Sequence, residues 1–503
     1  MGRSEVTGSS PIRRISRHGL VYGVGIVVGK LIGLVMLPLY LHRLRPDDFG
    51  RLQLVEMTIE VVSIVAGSRL AVGIFHFYHK ATTQQDRHSV LSTTLGILLI
   101  TYGVIGGALY LLAVPLSRGL FDGDGYVTLF RLAAGRMVVE SLILVPSAWL
   151  LVEERSGASV IAGTAKAILQ HGCNVIFVVG LNQGAAGMLR GSLIANVIFG
   201  VVLATLMLRE VGFRFSPSVA RDTIRFGLPF LATQAATFIS TFGDRYFLKR
   251  SADLATVGVY GVAYQFGFLL ASAAYQPFNA IWEPMRFEVA KGPNRDAIFA
   301  RAFIYFNLVL LSGALGLSLF VKDALPYLAS PDYQSAATIV PWVVLAYVLQ
   351  SWTGFHNLGL FIAERSGRIT SANWIGAIVA LAGYVLLIPP LKGVGAAIAT
   401  VLSFGVREII IYRSSQAVWP VRYEWTPVVR LVAIAFGAFG LSLLIAPKGP
   451  LLAFGSHVAL FFLYLAGTWA WVLSNDDRNN LAAMARSPRV AFAAIRGTSA
   501  TNL

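Results

Sequence analysis

Eight ionisable side chains fall inside stretches otherwise apolar enough for lipid: Lys30, Glu56, Glu60, Arg69, Arg136, Glu140, Lys166 and Arg190. A charge at that depth is costly and normally faces a cavity or a partner. Five are positive and three negative, an excess of two positive charges. Arg136 and Glu140 stand four residues apart, on one face of a helix. Two chemistries are open to the set. In the structural one, Glu60 or Glu140 pairs with Lys30 or Arg136 and fixes helix packing. In the functional one, Lys30, Arg69, Arg136, Lys166 and Arg190 line a hydrated cationic cavity, with Glu56, Glu60 and Glu140 as acidic partners. Guanidinium and ammonium groups there would meet the phosphate oxygens of an anionic head group. The positive excess favours the second, and both can hold together.

The second half of the chain offers a sparser set. Asp244 is followed by Arg245, and Asn373 and Thr400 are neutral oxygen donors further on. Oxygen-only ligands suit a hard cation such as Na⁺. Asp244 could equally be the partner of Arg245 or Lys249. Enzyme signatures are missing: His76 and His79 have no Cys or carboxylate cluster to complete a metal site, and no Walker sequence occurs. His171 and His356 read as packing histidines, and Gly103 to Gly107 as small residues for close helix approach. Cys173 stands alone, which excludes an intramolecular disulfide. The expectation is a protein that is not an enzyme, without cofactor or metal beyond Na⁺, and with Na⁺ or H⁺ as the coupling ion where there is one.

The elements that must position these groups are membrane helices. Hydrophobic residues make up 56% of the 503 residues and charged ones 13%, and mean hydropathy is +0.67. Apolar runs recur near 19–41, 52–75, 89–114, 126–151, 159–181, 185–208, 226–248, 257–281, 297–321, 336–361, 368–388, 395–413, 428–446 and 451–473. Each is long enough for a bilayer core of about 30 Å. With a cytoplasmic N-terminus, about 25 of the 41 Lys and Arg residues fall on the cytoplasmic side, as the positive-inside bias requires. The expected fold is therefore an all-α polytopic membrane protein of about 14 transmembrane helices with both ends inside. The net charge of +16 sits in short loops, where it orients helices and meets anionic lipid. No basic domain exists to hold nucleic acid. The apolar stretch after the basic start is full length, contains Lys30 and lacks a small-x-small cleavage site, so it reads as an uncleaved first helix.

A weak repeat organises these spans. Phe49-Gly50 and Val257-Gly258 stand 208 residues apart, and Gly184-Ala185-Ala186 and Gly395-Ala396-Ala397 stand 211 apart. Such spacing predicts two six-helix lobes related by a pseudo-two-fold axis along the membrane normal. The expected divisions are a basic cytoplasmic N-tail (1–18), an N-lobe (19–208), an inter-lobe linker (209–225), a C-lobe (226–413), two appended helices (428–473) and a cytoplasmic tail (474–503).

The first span runs into Leu37-Pro38-Leu39-Tyr40 and then Pro46-Asp47-Asp48-Phe49-Gly50. The second lobe opens with Phe226-Gly227-Leu228-Pro229, then Asp244-Arg245-Tyr246-Phe247-Leu248 and Val257-Gly258-Val259-Tyr260. Late in the chain come Ile388-Pro389 and Gly393-Val394-Gly395-Ala396-Ala397-Ile398-Ala399-Thr400. In order and spacing these motifs resemble the polysaccharide-transporter branch of the multidrug, oligosaccharidyl-lipid and polysaccharide exporter superfamily over residues 15 to 475. The resemblance implies a flippase that carries undecaprenyl-diphosphate-linked sugar units to the outer leaflet by alternating access, for O-antigen, capsule or exopolysaccharide synthesis. It implies a V-shaped cationic cavity between two lobes and a place in a bacterial inner membrane. Its partners would be the lipid-linked oligosaccharide, the bilayer and the polysaccharide polymerase or chain-length machinery. In related lipid II flippases a sodium site lies among helices 7, 11 and 12, and Asp244, Asn373 and Thr400 resemble three of its ligands. A further carboxylate has no counterpart, since Ala377 and Ile378 occupy its region.

Two rivals remain. An ion-coupled multidrug exporter of the same superfamily would want an acidic cavity for cationic compounds. A membrane polysaccharide polymerase or ligase would carry a large outward loop, and the extramembrane segments here are all short.

Overall fold

The computed structural model describes residues 32–33, 35–67, 70–445 and 449–479. Lys30 and Arg69, the N-tail, most of the first expected span and the tail beyond 479 lie outside the described residues. Every regular element among the described residues is helical, and ten helices are long and apolar enough to cross a membrane.

Local chemistry sets where the helices begin and end. The Thr83 hydroxyl accepts from the Asp86 amide and caps α1 (Gln84–Leu111), satisfying one of the donors that a helix start leaves open. Asp122, at φ 59°, closes the short helix that follows. Between Ser156–Asn174, prolonged by a π-helical turn to Gly180, and Gly184–Val211, the chain reverses through Asn182 (φ 51°) and Gly184 (φ 55°). The spans expected at 368–388 and 395–413 lie in one continuous helical stretch, Ser366–Val418, of 53 residues. At 1.5 Å per residue it would run about 80 Å, far beyond a bilayer. Lys392, at φ 48° and ψ −125°, breaks it just after Pro389 and Pro390.

The chain divides into two compact units, one of 1–261 with 328–332 and the other of 262–327 with 333–503. The first unit thus extends past the linker that the repeat suggests at 209–225. Within it, α1 packs on Val127–Val152, which packs on Gly184–Val211. Small residues allow the approach, as in membrane bundles generally. A Cβ on Gly106 would stand 2.4 Å from Val138 Cγ2, and one on Gly191 2.2 Å from Asn174 Oδ1. Gly103 and Gly107 have no neighbour of this kind within 4 Å, so of that glycine group Gly106 alone makes the close approach. In the second unit Ala336–His356 packs on Ser366–Val418, and Gly267 admits the Tyr347 ring.

Candidate functional site

Helical spacing assembles the site. Glu56 and Glu60 are one turn apart on the helix Pro46–Val65, and Arg136 and Glu140 are one turn apart on Val127–Val152. Ser192 and Asn196 repeat the spacing on Gly184–Val211, and Lys166 comes from Ser156–Asn174. Residues four apart share a helix face, and these faces enclose one polar cavity of about 170 Å³, wholly within the first unit. That is room for roughly a dozen water molecules.

Arg136 Nη1 donates to Glu56 Oε1 at 2.9 Å, with the two side chains 18% and 34% exposed. The structural reading of the sequence paired Arg136 with Glu60 or Glu140. The structure gives Arg136 a further acidic partner, Glu56, from the helix across the interface. Arg136 Nε is buried without a hydrogen-bond partner. Lys166 sits in the field of both Glu140 and Arg136. Arg190 does not line the cavity, and its guanidinium donates to the Gln183 side chain. Three carboxylates against two cations leave these five lining residues at a formal charge of −1. The positive excess counted in the sequence rests on Arg190, on Lys30 and on Arg69.

Asp244 lies in the first unit and is fully buried. Arg245 Nη1 donates to its Oδ1 at 2.6 Å and to the Thr241 carbonyl at 2.9 Å, while the Tyr260 hydroxyl donates to Oδ2 at 2.5 Å. The guanidinium also lies over the rings of Phe242 and Tyr260. Both carboxylate oxygens therefore have internal donors. Lys249 bonds Asp122 at 2.7 Å. In the second unit Thr400 is buried and donates to the Ala396 carbonyl, with its hydroxyl 3.4 Å from that of Tyr264, and Asn373 is half-buried.

Sequence reasoning missed a second group of buried charges. His356 Nδ1 and Glu408 Oε1 stand 2.5 Å apart in the second unit, 2% and 6% exposed as residues. Arg407, inside the run at 395–413, is buried with its guanidinium over the Phe404 ring. Arg286 is buried and bonds Glu283 and Asn357. The i, i+3 pair Glu283 and Arg286 was a usable signal. A contact across 52 residues, as between His356 and Glu408, was not.

Ten helices long and apolar enough to cross a membrane, with a charged cavity among those of the first unit, define a multi-pass membrane protein. The fold matches that of a lipid II flippase, MurJ, in an inward closed conformation, at a TM-score of 0.70 over 89% of this chain and 98% of that one, with 10% identity. A multidrug resistance MATE family transporter of the MOP superfamily, inward-facing, matches at 0.56 over 82% and 96%, with 16% identity. A MOP superfamily transporter from Pyrococcus furiosus, described as having reversed binding-pocket polarity, matches at 0.56 over 82% and 98%, with 12% identity. No curated protein matches. Residues 15–288 match the family described as Polysaccharide biosynthesis protein, and the chain belongs to that family.

Proposed function

We propose that this protein is a flippase that moves undecaprenyl-diphosphate-linked oligosaccharide units from the cytoplasmic to the outer leaflet of a bacterial inner membrane, for surface polysaccharide synthesis. In this reading about 14 spans, with both ends cytoplasmic, form two lobes that rock about the head group while the lipid tail stays in the bilayer. Lys30, Arg69, Arg136, Lys166 and Arg190 draw the diphosphate-linked head group in, and Glu56, Glu60 and Glu140 partner them. The observation that carries the reading is the charged cavity inside apolar helices of a chain that belongs to a polysaccharide biosynthesis family. Coupling to Na⁺ or H⁺ requires an ion that binds the two conformations unequally. Asp244, Asn373 and Thr400 remain its candidates once Arg245 releases the carboxylate.

The test is the sidedness of lipid-linked oligosaccharide in cells depleted of the protein. Intact units trapped on the cytoplasmic leaflet support the flippase. Units that reach the outer leaflet unpolymerised would move the assignment to a polymerase. Unchanged lipid-linked sugars would move it to an exporter of small cationic molecules, a second reading that the three cavity carboxylates favour.

A further inference from the structure

The composition of the cavity bears on which part of a head group it holds. At about 170 Å³ it is smaller than the roughly 300–1,000 Å³ of sites that enclose whole ligands. It holds a part of a head group about the size of one ring, with the rest outside it. Arg136 is already engaged by Glu56, and Lys166 lies beside Glu140. Ionised carboxylates are acceptors only, each with about four lone-pair sites. Hydroxyl and ammonium groups are their natural ligands, and Ser192 and Asn196 supply groups that both donate and accept.

We infer that this cavity is a sugar subsite, in which Glu56, Glu60 and Glu140 accept hydrogen bonds from a hydroxyl- or amine-bearing ring and repel a ring that carries a carboxylate. The inference rests on the flippase reading and names the class of sugar unit that reading leaves open. The repulsion is the discriminating element, since the lining carries one more carboxylate than cations and selectivity of this kind needs a penalty against the wrong ligand. A neutral hydroxyl in the same place meets no such penalty. A protonated amine gains attraction from every carboxylate.

The test uses the full-length protein in vesicles with polyprenyl-diphosphate carriers that bear a hexose, a hexosamine or a hexuronate. Hexose and hexosamine carriers should cross at least tenfold faster than the hexuronate carrier. In Glu60→Gln and Glu140→Gln the hexuronate-to-hexose ratio should rise at least fivefold. Equal rates for hexose and hexuronate in the unsubstituted protein would overturn the subsite and leave the flippase standing. So would a ratio that stays put in both variants. If no carrier crosses, the flippase reading falls and the subsite with it.

Discussion

Gly50 and Gly258 meet back to back. A Cβ on Gly50 would stand 2.1 Å from the Leu254 carbonyl oxygen, and one on Gly258 would stand 2.0 Å from that of Pro46. Each glycine thus faces the carbonyl four residues before the other. One of the glycine pairs that carry the repeat in the sequence is thus a pair in contact. Backbone atoms cannot rotate away, so Gly50→Ala or Gly258→Ala must move a helix. We expect each to destabilise by at least the 1–3 kcal/mol or so of an overpacked core. Gly103→Ala, with nothing within 4 Å, should be neutral or stabilising by up to about 1 kcal/mol through helix propensity. Thermal unfolding in detergent and membrane abundance read both.

Arg136→Ala should lower transport at least tenfold, with membrane abundance within twofold of the parent. A cavity cation is needed by the ligand, whereas its loss leaves Glu56, already 34% exposed, in a polar cavity with access to water. If abundance falls together with transport, the pair is a helix staple. Glu56→Gln separates the cases further, since it frees Arg136 for an anion while it keeps the side-chain volume.

Much of this was legible beforehand, for identifiable reasons. Apolar runs mark spans because lipid offers no hydrogen bonds to an open backbone, and i, i+4 spacing placed Arg136 and Glu140 on one face. Gly50 and Gly258 stand out in the sequence as glycines, and a side chain at either would meet backbone of the other helix. The partner of Arg136 was not legible, because Glu56 and Glu60 stand one turn apart and the choice between them depends on the placement of two helices. Arg407 and Glu408 fall inside the run at 395–413, and nothing in the sequence names a partner for either. The Phe404 ring and His356 hold them.

The His356–Glu408 pair predicts a non-additive double substitution. Phe303, Phe355, Tyr412, Tyr423 and Trp425 surround the imidazole, and His356 Nε2 and Glu408 Oε2 have no hydrogen-bond partner. Tyr423, in the connection between two spans, has its phenol pushed up by burial and stays protonated. Removing one member of a buried pair costs about 3–5 kcal/mol, whereas replacing both with apolar groups is often neutral. Glu408→Leu alone should therefore lower the unfolding midpoint clearly, and His356→Leu with Glu408→Leu should recover at least half of the loss. A double variant no better than the single one would mean that packing against the rings, not charge, sets the stability there.

Asp244→Asn gives a test of ion coupling that the geometry sharpens. The carboxylate is held by Arg245 and Tyr260 with no water-exposed surface. Neutralising it leaves the Arg245 guanidinium buried beside the Phe242 and Tyr260 rings, at a cost of about 3–5 kcal/mol. If the pair is structural, the unfolding midpoint falls equally in Na⁺ and in K⁺, and the residual transport keeps the ion dependence of the parent. If Asp244 also binds Na⁺, that ion must compete with Arg245. The parent's midpoint would then rise with Na⁺ concentration as mass action requires, and Asp244→Asn would abolish the rise. The paired oxygens favour the first outcome in the conformation described here, and a Na⁺-dependent midpoint in the parent would show that another conformation opens the pair.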